Sequence, residues 1–194
     1  MLEVRGLRAG LLAAALAGVA MSSASDATAG VPSFGRFDIP TVFYVSKSDD
    51  HNRVDYAIRL DEHCVPTSND AVFFYWREFE KAPPVVIHNP GMLDFVGYGI
   101  SEQRTVFKAA NVGVYALRLR QLPKLVIQII TTQRADGRCS AQARSTINGK
   151  DSELSYAFVQ LDKGGFSLTP SVAYVDLHGK DLENGQEVVE RLHH

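Results

Sequence analysis

Residues 52–60 constrain the fold more than any other part of the chain. Val54, Tyr56, Ile58 and Leu60 alternate with Arg53, Asp55, Ala57 and Arg59, which gives an extended strand one apolar face and one wet face. A half-buried antiparallel strand needs that pattern. Residues 41–47 are rich in β-branched and aromatic side chains and read as its partner. Ser48, Asp49, Asp50, His51 and Asn52 form a polar, solvated loop between the two, so residues 41–60 are predicted to be a β-hairpin. Cys64 follows four residues after Leu60 and offers a tie at the hairpin's exit.

Strand signals return further on. Residues 112–120, 124–132, 138–147 and 153–162 each have strand length and are bounded by turn residues, including Gln121-Leu122-Pro123 and Asp136-Gly137. Asn148-Gly149 is the strongest hairpin cue, because a type I′ turn requires positive φ at both central residues. Gly164-Gly165 marks the next turn, and Asn184-Gly185 separates a last pair at 172–177 and 187–192. Two stretches are predicted to be short helices. Residues 71–81 fit a helical stripe through Val72, Tyr75, Trp76 and Phe79 and also a strand face, and Asp70 as an N-cap favours the helix. Residues 92–106 are the second, weakened by Gly97 and Gly99. Pro83, Pro84 and Pro90 leave residues 85–87 room only for a brief edge pairing. The expected fold is mainly β, an antiparallel sandwich or barrel of about eight or nine strands with one or two short helices.

The first 29 residues are expected to be a secretory signal peptide. Arg5 and Arg8 precede an apolar run over residues 11–21, and small residues follow, with cleavage after Ala24 or Ala29. The apolar run is short of the roughly 18 to 20 residues that span a bilayer, so no membrane span is expected after cleavage. Residues 30–40, with Pro32, Gly35 and Pro40, read as a lead-in arm, and 41–194 as a single antiparallel β domain. The localisation implied is export, periplasmic or secreted. In such a compartment Cys64 and Cys139 are expected to form a disulfide closing about 75 residues, for which chain entropy gives roughly 4 to 5 kcal/mol.

Several short strings carry a likeness. Residues 43–48, then Asn52-Arg53-Val54 with Tyr56-Ala57, Tyr75-Trp76-Arg77, Tyr98-Gly99-Ile100, and residues 177–182 with Gly185, Val188 and Glu190 resemble a family of exported bacterial proteins catalogued only as a domain of unknown function. The resemblance covers about residues 40–192. It implies export and a single domain, and it implies no activity, cofactor or catalytic residue.

Composition narrows function further. A formal net charge of -2 and a pI near 6.3 give no pull toward nucleic acid, and no dense basic patch compensates. The Asp49–Asn52 loop lacks the glycine and distant glutamate of a calcium loop, and His63, Cys64 and His88 lack zinc-ligand spacing, so no metal or cofactor is predicted. No Gly-x-Ser-x-Gly string occurs, and a disulfide-bonded Cys139 beside His88 or His178 is no nucleophile, so no catalytic residue is assigned. Arg118, Arg120 and Arg144 read as wet strand faces.

The candidate binding set is Lys47, Arg53, Tyr75, Trp76 and Arg77. Lys47 and Arg53 flank the hairpin loop, and Trp76 between Tyr75 and Arg77 offers an aromatic wall with a cationic rim. The bland alternative puts Trp76 in the core and the cations at solvated strand ends. The function predicted is an exported binding or interaction domain of the cell envelope, its partner an envelope protein or small ligand. The alternatives are a hydrolase-like envelope enzyme with a site near Tyr75-Trp76-Arg77 and His88, and an exported metal carrier.

Overall fold

A computed structural model describes residues 41–79, 85–87, 91, 96–162 and 171–193. The proposed signal peptide, the lead-in arm, His88 and the Gly164-Gly165 turn lie outside the described residues.

Among the described residues eleven strands make up one sheet: β1 (Phe43–Lys47), β2 (Asp50–Ile58), β3 (Val72–Glu78), β4 (Val85–Ile87), β5 (Ile100–Ala109), β6 (Val112–Leu119), β7 (Leu122–Gln133), β8 (Cys139–Ile147), β9 (Lys150–Leu161), β10 (Val172–Asp181) and β11 (Glu187–His193). The order runs β4-β3-β2-β1-β9-β8-β7-β6-β5, with β10 and β11 branching from the far side of β9. The sheet is mixed and curls into a half-barrel.

The long strand β9 explains the branching. Its first residues pair with β8, from Lys150 opposite Ile147 to Glu153 opposite Arg144. Its later residues pair in parallel with β1, Tyr156 with Tyr44 through Val159 with Lys47. The same edge is thus shared by two strands in succession, while β10 takes the other edge from Ser152 to Leu161. Two wings, β1–β4 and β5–β8, spread from that shared edge and close over one another. Phe43, Val54, Tyr56 and Phe74 of the first wing belong to the same buried cluster as Tyr115, Leu117, Ile127 and Ile129 of the second, with Leu154, Val175 and Leu177 between them.

Polar links hold the wings in register. Tyr115 Oη accepts from the Ala71 amide at 3.3 Å and donates to Gln103 at 3.0 Å. Thr131 Oγ1 donates to the Cys64 carbonyl at 2.6 Å. Cys64 and Cys139 are joined by the expected disulfide, with Cα atoms 5.2 Å apart. Cys64 sits at φ 60° at the end of a tight turn. There the Asp61 carboxylate accepts the amides of His63 and Val65. Gly113 lets this turn approach β6, since a Cβ there would lie 2.8 Å from Pro66 Cδ and 2.7 Å from Thr131 Oγ1.

Most strand expectations hold. The Asn148-Gly149 turn has positive φ at both residues and joins β8 to β9. Residues 85–87 form the short edge strand. Two segments depart from expectation. Val72–Glu78 is a strand, because β2 offers a complete antiparallel edge from Arg53 to Ile58, and pairing there outweighs the helical stripe and the Asp70 cap. In the described part of 92–106, residues 96–98 form one helical turn and Ile100–Ala109 is strand β5, paired with β6. The expected Gln121-Leu122-Pro123 turn is shifted, since Leu122 already pairs with Leu119.

Candidate functional site

Strand alternation sorts the candidate residues. Val54 lies opposite Trp76 on the inward face, whereas Arg53 lies opposite Arg77 and Asp55 opposite Tyr75 on the outward face. Tyr44 of β1 stands beside Asp55 in the same outward row.

Asp55 is the centre of this face. Its side chain is fully buried, and Arg53 Nε donates to Oδ1 and Arg77 Nε to Oδ2, both at 2.6 Å. Thr41 Oγ1 adds a third bond at 3.0 Å to Oδ2. Burial of an ion costs so much that a carboxylate is tolerated here only because charge-assisted donors meet both oxygens. Arg77 also donates to Tyr75 Oη at 3.2 Å. Burial disfavours the charged guanidinium of Arg77, but Asp55 and Tyr75 outweigh it and hold the group above its ordinary range. Arg53 lies over the Tyr44 ring at 4.1 Å and the Phe79 ring at 5.1 Å. Two cations and one anion leave the cluster with an excess positive charge.

The outward row continues in aromatic rings. Tyr44 stacks on Tyr156 at 5.0 Å, and Tyr156 stacks on His178 at 4.3 Å. Three strands, β1, β9 and β10, supply one ring each. Further along, Asp176 receives two bonds of 2.7 Å from Arg191. That pairing holds its carboxyl below the usual range.

Trp76 and Lys47 belong to the other face. Trp76 is partly buried against the core, its ring edge-on to Tyr98 at 5.3 Å. Lys47 Nζ lies 5.9 Å from the Trp76 ring and pairs with Asp49 and Asp50 at 3.7 and 3.5 Å. Lys47, Ser48, Asp49, Asp50 and His51 line a cleft of about 550 Å³ with Phe158 and Gln160. The hairpin tip is also tethered: the Ser48 amide donates to Val159, and its hydroxyl accepts from the Leu161 amide at 3.1 Å.

The structure therefore brings Arg53, Tyr75 and Arg77 together and separates them from Lys47 and Trp76. Alternation alone places Asp55, the residue that gathers them, on a wet strand face, and its burial corrects that expectation. Its signal was the pair of i, i+2 spacings, Arg53-x-Asp55 and Tyr75-x-Arg77, which share a face only if both segments are strands. Tyr156 and His178 join the row only through sheet order. His63 is well exposed and Cys64 is locked in the disulfide. Among the described residues no group of three or more His, Cys, Asp and Glu side chains is placed to hold a metal ion. None of their helices is long and apolar enough to cross a membrane.

Fold and site together define a disulfide-bridged, mainly β domain with a cationic, aromatic-lined outward face. The chain belongs to the family described as a domain of unknown function, DUF4833, whose pattern matches residues 43–191. No curated protein and no solved structure matches it.

Proposed function

We propose that the protein is an exported binding domain of the cell envelope, residues 41–194 forming one domain, that engages an acidic partner through the outward face of β1, β2 and β3. One observation carries the reading: among the described residues Arg53 and Arg77 share a single carboxylate, so this cluster of two cations and one anion keeps an excess positive charge. Half-buried guanidinium groups beside Tyr44 and Tyr75 suit a carboxylate or phosphate on a partner, because the guanidinium fork and the ring faces are both pre-set. Export is supported by the leader pattern in residues 1–29 and by the Cys64–Cys139 disulfide, a bond that persists in oxidising compartments.

Native mass spectrometry of protein purified gently from the envelope fraction tests this. The expected result is a retained ligand or partner that Arg53→Ala loses, with Arg77 still pairing Asp55 and keeping the fold. A bare mass for the wild type, or equal retention by R53A, overturns the reading.

A further inference from the structure

A second concave, polar site lies on β7, β8 and β9, and nothing argued from it rests on the Arg53–Arg77 face. Val126 and Gln128 of β7, Arg144 and Thr146 of β8, and Asp151 of β9 line a cleft of about 330 Å³, with Leu182 at its side. The register explains the grouping. Gln128 lies opposite Arg144, and Thr146 opposite Asp151, so alternation sends these side chains to one face. The hairpin set by Asn148-Gly149 places Asp151 beside Thr146, and the Leu182 amide bonds to the Asp151 carbonyl at 3.0 Å, holding the flank.

Arg144 makes this cleft unusual. Its Nε is buried and has no hydrogen-bond partner among the described residues. At other arginines of the sheet Nε meets a carboxylate: Arg118 at Glu102, Arg191 at Asp176, and Arg53 and Arg77 at the Asp55 they share. Glu153 is directly across the ladder from Arg144, yet the two form no ion pair within 4.0 Å. Buried guanidinium nitrogens are normally paired, and an orphan in a concave polar site points to an acceptor that a ligand brings. The expected wet strand face at Arg144 is thus a cleft wall.

Charge chooses the ligand class. Asp151 is exposed in the same cleft and has no ion pair among the described residues, and Glu153 adds negative potential nearby. A dianion such as phosphate would gain one guanidinium and meet two carboxylates. A zwitterion answers both signs, its carboxylate on Arg144 and its ammonium toward Asp151. The volume suits a molecule of amino-acid or dipeptide size, with Gln128 and Thr146 left to hydrogen-bond an amide or side chain. We infer that this cleft binds a small zwitterionic ligand, a free α-amino acid or a short peptide terminus.

Titration calorimetry or amide chemical-shift titration of the purified protein with glycine, alanine of either hand, diglycine, acetate and inorganic phosphate tests the inference. At least one zwitterionic probe is expected to bind saturably, about tenfold or more tighter than acetate and phosphate. Arg144→Gln is expected to weaken that probe by about tenfold or more, and Asp151→Asn to erase its advantage over acetate. Thr146→Glu supplies a carboxylate in the cleft from an exposed position and is expected to abolish binding with the circular dichroism spectrum unchanged, which keeps the test intact if R144Q does not fold. No saturation by any zwitterion, unchanged affinity in folded R144Q or T146E, or tighter binding of phosphate overturns it.

Discussion

Arg53 and Arg77 face one another across the β2–β3 ladder, and each donates through Nε to a different oxygen of the buried Asp55 carboxylate. Like charges directly opposite on neighbouring strands repel, so the carboxylate between them is what allows the register. Asp55→Ala removes the anion, leaves two half-buried guanidinium groups in apposition, and is expected to cost about 3 to 5 kcal/mol. Urea denaturation of the variant checks this, and a loss below about 1 kcal/mol would show that the cluster contributes little to folding.

The Cys64–Cys139 bridge spans a sequence separation of 75 and ties the exit of the first hairpin to the start of β8. Replacing both cysteines by alanine is expected to lower stability by about 4 kcal/mol, chiefly by freeing the unfolded chain. Denaturant midpoints of the bridged protein and the double variant give the difference directly.

Gly179 lies where β10 bulges against β9. An added Cβ would come within 2.5 Å of the Glu153 carbonyl oxygen and 2.6 Å of Ile147 Cδ1, and the first of these is backbone. Gly179→Ala is therefore expected to destabilise by about 1 to 3 kcal/mol through overpacking. Gly97→Ala meets nothing within 4 Å and serves as the control in the same melting experiment.

Tyr115 Oη satisfies the buried amide of Ala71 from the opposite wing. Tyr115→Phe keeps the ring and orphans that amide, at an expected cost of about 1 to 3 kcal/mol. Hydrogen exchange at Ala71 should accelerate, whereas exchange within β9 should change only as far as global stability does.

Acid stability follows from three aspartates. Asp61 is held below its ordinary range mainly by the Val65 amide, Asp176 by Arg191 and Asp181 by Lys150. A carboxyl whose folded pKa is depressed stabilises fully above its unfolded value of about 3.9 and loses that contribution as pH falls through the folded value. Stability is expected to be flat with respect to these groups near neutrality and to drop below about pH 4. Asp176→Asn should flatten part of that drop in a pH series of denaturation curves, and an unchanged slope would contradict the assignment.

Much of the architecture was legible because it is local. The alternation at Val54, Tyr56 and Ile58 did become core, and all three are at most 5% exposed. Asn148-Gly149 encoded its own turn, since few other residue pairs tolerate two positive φ values. The brief edge at residues 85–87 was legible from the prolines around it. Residues 71–81 were not, because the same side chains satisfy a helical stripe and a strand face, and only the free edge of β2 decides between them.

The sequence by itself determined that the chain is mainly β, where its tight turns fall and which thiols are available to pair. These follow from φ preferences and period-two burial, which neighbouring residues specify. Tertiary structure alone decided that Asp55 is buried between two arginines, that Tyr44, Tyr156 and His178 form one stack, and that Arg144 faces a cleft with Asp151. Each of those depends on which strand lies beside which. The sharing of one β9 edge by β8 and β1 sets that order, through contacts between residues more than 100 positions apart, such as Ser48 with Leu161, |i−j| = 113.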